Sequence, residues 1–286
     1  MKTLLAGILL CCIPAVSFSQ EQETPYKKQN KNKFYIYWGW NRGWYTDSDI
    51  RFHGNNYDFT LYNVKAQDRQ SDLELGTYLN PVKMTIPQTN FRVGYFITDH
   101  WSISAGTDHM KYVMQQNQEV KISGYIEDTK TEYNNNYNNN DIELREDFLI
   151  FEHTDGLNYI NTEIRRSDMI LDLNKNHFAD INFNLVEGLG GGILFPRTNT
   201  TLLGNERYDE FHVAGYGFGT MAGLNVTFWN FFFIQSELKG GFINMPDIRT
   251  TSSKSDRASQ HFFFLQSNIV LGITCHLWKQ HNTTKP

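Results

Sequence analysis

The sequence predicts an all-β fold: a transmembrane, antiparallel, up-and-down β-barrel of eight strands with long extracellular loops. Three observations predict it. Apolar and polar residues alternate with a period of two along nearly the whole chain. Short turns alternate with long polar loops, and an export signal precedes them all. Residues 231–242 (FFFIQSELKGGF) show the alternation, with Phe232, Ile234, Leu238 and Phe242 on one face and Gln235, Glu237 and Lys239 on the other. A soluble sheet would pack that apolar face on a core. Its return along an exported chain points to lipid as the apolar partner, in the outer membrane of a Gram-negative bacterium.

The elements follow in order. Residues 1–19 read as a cleaved signal peptide: Lys2, an apolar run over 4–16, and Ser17-Phe18-Ser19 as the cleavage site. The run is too short to span a membrane comfortably as an anchor. Leu10 precedes Cys11 where a lipoprotein signal takes a small residue. Without the signal one cysteine is left, Cys275, so no intrachain disulfide is expected. A polar lead covers 20–33, the barrel 34–278 and a tail 279–286.

The first strand, 34–45, sets Phe34, Ile36, Trp38 and Trp40 against Tyr37, Gly39, Asn41 and Gly43. A long loop over 46–88 carries hairpin signals at 51–54 and 57–61, and Pro81 and Pro87 close it. The second and third strands, 90–98 and 101–113, are joined at Asp99-His100. The next loop holds YNNNYNNND, residues 133–141, read as a mobile, solvated spacer because it has too little apolar area to fold alone.

The fourth strand, 148–173, is interrupted near Asp155-Gly156, and 174–176 turn the chain. In the fifth, 178–195, the glycines at 188, 190, 191 and 192 suggest a bulge or sharp coil. Glu187 stands on the apolar parity there, which argues for a bulge that turns it inward. The sixth, 211–228, puts Gly215, Gly217 and Gly219 on the inner face and ends in a tight turn at Trp229-Asn230. The seventh, 231–244, stops at Met245-Pro246, and a loop over 247–259 leads to the eighth, 260–278. Ten wall strands result if the hairpin between 51 and 61 joins the wall instead of crowning it.

An eight-stranded barrel has an interior just wide enough for side chains to fill. The alternation sends Asn41, Arg92, Glu163, Arg165, Glu237, Lys239, Gln266, Asn268 and Thr274 into it. Arg92, Glu163, Arg165, Glu237 and Lys239 must pair there, since an unpaired buried charge is costly. A polar plug is the expectation and a narrow conduit the alternative.

Composition excludes other classes. The net charge of −5 is unclustered and forms no basic stripe, so nucleic acid is excluded as a partner. Aromatic content of 15% fits interfacial girdles at the strand ends. The His residues lack paired metal-ligand spacing, so neither metal nor other cofactor is expected. Barrel enzymes that modify lipid place Ser, His and an acid on the outer wall. Asp108-His109 and Glu152-His153 are adjacent pairs, whose members point to opposite faces of a strand, so neither is a dyad and the chain is not read as an enzyme.

Residues 38–69 (WGWNRGWYTDSDIRFHGNNYDFTLYNVKAQDR), 237–251 (ELKGGFINMPDIRTT) and 255–268 (SDRASQHFFFLQSN) resemble an outer-membrane barrel family of Bacteroidota. The resemblance covers nearly all of the mature chain and implies a barrel in the outer membrane. It carries over no catalytic residues. In the same segments Asn41, Arg42, Asp49, Tyr57, Asp58, Asp247 and Arg249 are candidates for a binding surface at the outer rim. The expected role is structural or surface-binding, with outer-membrane lipid including lipopolysaccharide as neighbour and a glycan or protein as ligand. A passive pore for small solutes, or a lipid-modifying barrel, would be the alternatives.

Overall fold

The computed structural model describes residues 30–70, 88–173 and 180–276. The signal peptide, Pro81, Pro87, the turn at 174–176, Phe178 and Trp278 lie outside the described residues. Eight strands close a ring: β1 (Lys33–Tyr45), β5 (Thr89–Phe96), β6 (Trp101–Met114), β9 (Leu149–Asp172), β10 (Ile181–Leu194), β13 (Gly215–Phe228), β14 (Phe232–Arg249) and β15 (Arg257–His276). Every neighbouring pair is antiparallel, and β1 pairs with β15 to seal the ring.

Period two sorts the wall's side chains. Val93, Ile103, Ile164, Leu189, Leu224, Leu238, Leu265 and Ile269 stand outward and exposed, while Asn161, Glu163, Glu237, Lys239, Gln266 and Asn268 are buried inside. At one end the turns are short. Trp229 and Asn230 both take positive φ, 52° and 54°, the twist a two-residue hairpin needs.

At the other end the wall strands run on and grow a crown. The top of β15 pairs with β2 (Ser48–His53), then β3 (Tyr57–Val64), β7 (Glu119–Ile126) and β8 (Asn135–Glu143) follow in order. Opposite them, β4 (Ala66–Gln67) pairs with the top of β6, and β11 (Arg197–Leu202) joins the top of β9 to β12 (Tyr208–Phe211). The two sheets face each other across a largely apolar core. Phe52 meets Phe151 at 5.5 Å between ring centroids, Phe59 meets Phe148 at 5.8 Å and Tyr112 meets Phe262 at 5.0 Å. Ile50, Leu61, Ile122, Met110 and Leu149 are wholly buried among them.

The 51–61 hairpin is β2–β3 and crowns the ring, so the wall has the eight strands expected. Several other expectations are corrected. The asparagine tract is largely strand: β8 lies along β7, whose ladder supplies the hydrogen bonds, and Tyr133 and Tyr137 pack against the crown core. No interruption divides β9. Gly156 takes φ of 125° beside the register shift between β6 and β9, so one kinked strand passes from wall to crown. Likewise β14 continues through Pro246 to Arg249, because a register shift between Met245 and Ile248 takes the proline out of the ladder.

Glu187 faces outward and is exposed, since β10 and β13 pair without a break there. The register shift of β10 lies instead at Phe183/Asn184. The glycines after Glu187 form no coil. A Cβ at Gly190 or Gly192 would run into the carbonyl oxygens of Thr162 and Ile160, so these positions permit close strand approach.

Candidate functional site

The lumen is the most organised polar region. Each member stands on the inner parity of its strand: Tyr37 on β1, Arg92 on β5, Asp108 on β6, Glu163 and Arg165 on β9, Glu237 and Lys239 on β14. Glu163 is the hub. It accepts from Arg92 at 3.0 Å, Arg165 at 2.7 Å and Lys239 at 2.6 Å. Arg165 also donates to Glu237 at 2.7 Å and to the Tyr37 hydroxyl at 2.8 Å. Neutral donors complete the second carboxylate, with Gln235 at 2.6 Å and Asn268 at 3.1 Å from Glu237.

Asp108 is the partner that sequence reasoning missed. It takes the second contact of Lys239 and accepts from Asn90 and Asn161. Its signal was inner parity with Ser102 and Ser104, hidden by reading it as a pair with His109. His109 itself turns away and meets Asn158 at 2.8 Å. Three cations thus face three carboxylates, and the network carries no net formal charge.

Apolar residues cover the network towards the crown and flank it towards the short turns. Towards the crown, the Lys239 ammonium sits 5.0 Å from the Tyr159 ring centroid, and Tyr159 and Phe264 belong to the crown core. Towards the short turns, Tyr35, Tyr37, Phe233 and Val270 form a second cluster. A cavity of mixed character opens there, lined by Tyr35, Tyr37, Phe233, Lys33, Ser102 and Asn225 and reaching Arg165.

The structure scatters the seven rim candidates. Asn41 is buried in the lumen and donates to Asn90 at 2.6 Å, while Arg42 is exposed on β1. Tyr57 is in the crown core. Asp49 is exposed and accepts from the Asn63 N–H. Asp247 binds His212 at 2.9 Å and also Arg257.

Asp58 and Arg249 do share one hydrogen-bonded row. Its register runs Arg249, Arg257, His53, Asp58, Tyr125, Asn136 across the outward face of the crown sheet. Arg51 adds a two-pronged contact to Asp58, at 2.8 and 2.6 Å, and this hydrogen-bonded guanidinium holds the carboxyl below its usual range.

His153 is wholly buried between the crown sheets. Its Nδ1–H donates to Thr198 at 2.9 Å, and Nε2 accepts from the Gln260 amide at 3.0 Å. Burial pushes its pKa down to about 3, so the ring stays neutral and serves as a strut. Among the described residues no group of three His, Cys, Asp or Glu is placed to hold a metal. Ser102 and Ser104 are buried in the lumen, away from the outer wall where a lipid-modifying site would lie.

The chain is similar to several solved outer-membrane proteins at low identity. OprG from Pseudomonas aeruginosa shares 9% identity and a TM-score of 0.37, covering 87% of this chain and 99% of that one. AlkL in DMPC bilayers shares 8% and 0.36, covering 91% and 98%. Ail of Yersinia pestis shares 9% and 0.27, covering 84% and 99%. No family model and no curated protein matches the chain.

Proposed function

We propose that this chain is a closed outer-membrane β-barrel that anchors a rigid crown at the cell surface, and that the crown is its working part. The belt of exposed apolar side chains around the ring supports lipid as its surroundings. The short turns then face the periplasm. The crown stands among the lipopolysaccharide of the outer leaflet.

The observation that carries the reading is the stacking of a charge-neutral lumen network beneath an aromatic, largely apolar crown core. A pore needs a continuous water path. Here paired charges and aromatic rings occupy the axis. The outward crown row from Arg249 to Asn136 offers guanidinium, imidazole, carboxylate, phenol and amide groups on one sheet face. Such a flat polar face suits a surface glycan.

Planar-bilayer recording of the refolded barrel tests closure, and silence is the expected trace. Stable, reproducible steps would replace this reading with the passive pore, lined by Arg92, Glu163, Arg165, Glu237 and Lys239. Binding to immobilised lipopolysaccharide glycans tests the crown face. Arg51→Ala with Arg257→Ala should weaken retention by about tenfold, the scale of one or two charge-assisted hydrogen bonds. Retention equal to that of the unsubstituted barrel would remove the row from the proposal.

A further inference from the structure

We propose that the barrel's outer wall holds a phosphatidylethanolamine-type headgroup of the periplasmic leaflet on one row formed by Trp101, Arg166, Glu187 and Ala222. This inference rests on the membrane-spanning reading and goes beyond it by naming a lipid. The four residues are successive register partners on β6, β9, β10 and β13, and all face outward.

Trp101 opens β6 directly after a short turn, the position at which an indole sits at a membrane–water interface. The Arg166 guanidinium lies 5.7 Å from its ring. Asp168 fixes that guanidinium from the other side at 2.6 and 3.2 Å, and His100 meets the same carboxylate at 2.8 Å.

Glu187 comes next along the row: Arg166 faces it across the ladder and acts on it electrostatically, but no salt bridge forms between them among the described residues. Leu185 and Leu189 flank it on its own strand, and Ile164 and Leu224 stand on the diagonals, all exposed. A carboxylate flanked by apolar side chains at the membrane interface is poorly solvated until a cation meets it. The wall's own candidate, Arg166, gives its two hydrogen bonds to Asp168 and meets Glu187 only through space.

A cation delivered by the surroundings resolves the deficit. A primary ammonium donates several hydrogen bonds to a carboxylate, as a lysine does, whereas a trimethylammonium has no N–H to give. With the ammonium on Glu187, the phosphate of the same headgroup falls beside Arg166 and Trp101. The small side chain of Ala222 leaves room on the far side of Glu187. The order along the row, aromatic, cation, anion, small, matches a zwitterion lying flat.

Native mass spectrometry of the refolded full-length barrel, mixed with dioleoylphosphatidylethanolamine or dioleoylphosphatidylcholine, tests the assignment. The barrel should retain the ethanolamine lipid in preference. Glu187→Gln should keep its heat-modifiable gel migration yet lower that retention by about fivefold. Equal retention of the two lipids, or unchanged retention in Glu187→Gln, overturns the proposal. So does a two-copy species that vanishes in Glu187→Gln while lipid retention stays the same. Flotation with liposomes of either lipid reads the membrane assignment separately: failure to float both overturns that assignment, whereas floating without preference overturns only the headgroup.

Discussion

Replacing Arg165 by Met leaves two lumen cations facing three carboxylates. The loss falls unevenly. Glu163 keeps Arg92 at 3.0 Å and Lys239 at 2.6 Å. Glu237 keeps only the neutral donors Tyr37, Gln235 and Asn268, at 3.2, 2.6 and 3.1 Å. Removing one partner of a buried pair costs about 3–5 kcal/mol, because the other charge stays in a poor solvent. Adding Glu237→Gln takes that stranded charge away at nearly constant shape. The double variant should therefore be more stable than the sum of the singles by about 2–3 kcal/mol. Urea unfolding in vesicles, followed by tryptophan fluorescence, supplies the three free energies. A single substitution costing below about 1 kcal/mol, or additivity within about 0.5 kcal/mol, would refute the reasoning. Either would mean that water already solvates Glu237 and that the lumen is open to it.

Two further outcomes concern the crown. His153 has its folded pKa depressed from 6.5 to about 3, so between those values the unfolded chain binds a proton that the folded chain refuses. The crown's stability is full above about pH 6.5 and falls as the pH drops, by about 1.4 kcal/mol per unit. Amide exchange at Phe52 and Phe151, corrected for intrinsic rates, should quicken between pH 6 and pH 4 (on the order of a hundredfold over those units), while the wall amides hold. His153→Gln should lose the response, and flat protection in the unsubstituted protein would count against a buried neutral ring. Deleting residues 133–140 removes most of β8 and the Tyr133 ring that packs on Phe148 at 4.8 Å. The wall should still assemble with heat-resistant migration, while trypsin gains access at Lys121 on the uncovered β7. A variant that cannot assemble would show that the wall depends on the tract.

The wall is legible in the sequence because lipid and lumen impose opposite chemistries on alternate residues over long strands. Phe263, Leu265 and Ile269 against Gln266 and Asn268 leave one register. The crown is less legible for a physical reason. Its strands carry the same alternation in short pieces, and their partners are remote: β2 pairs with β15, and β3 with β7. Hairpin chemistry announces β2–β3 but says nothing of what covers Phe52 and Phe59. The asparagine tract is polar on both faces, so composition favours coil, and only the ladder of β7 makes it a strand. Glu187 misleads in the opposite way. An acid on apolar parity suggests a fault in register, yet the register holds and the acid faces outward.

Since β9 and β15 pass unbroken from the belt into the crown, the two halves share one reading frame of faces. Adding or dropping a single residue within either strand would exchange inside for outside along everything beyond it. Lumen carboxylates would be sent to lipid, and crown aromatics to water. Changes in length are therefore best tolerated at the tips, such as the ends of β7–β8 and of β11–β12. A lineage can redraw what this protein shows to its surroundings only by substitution on the outward rows or by growth at those tips.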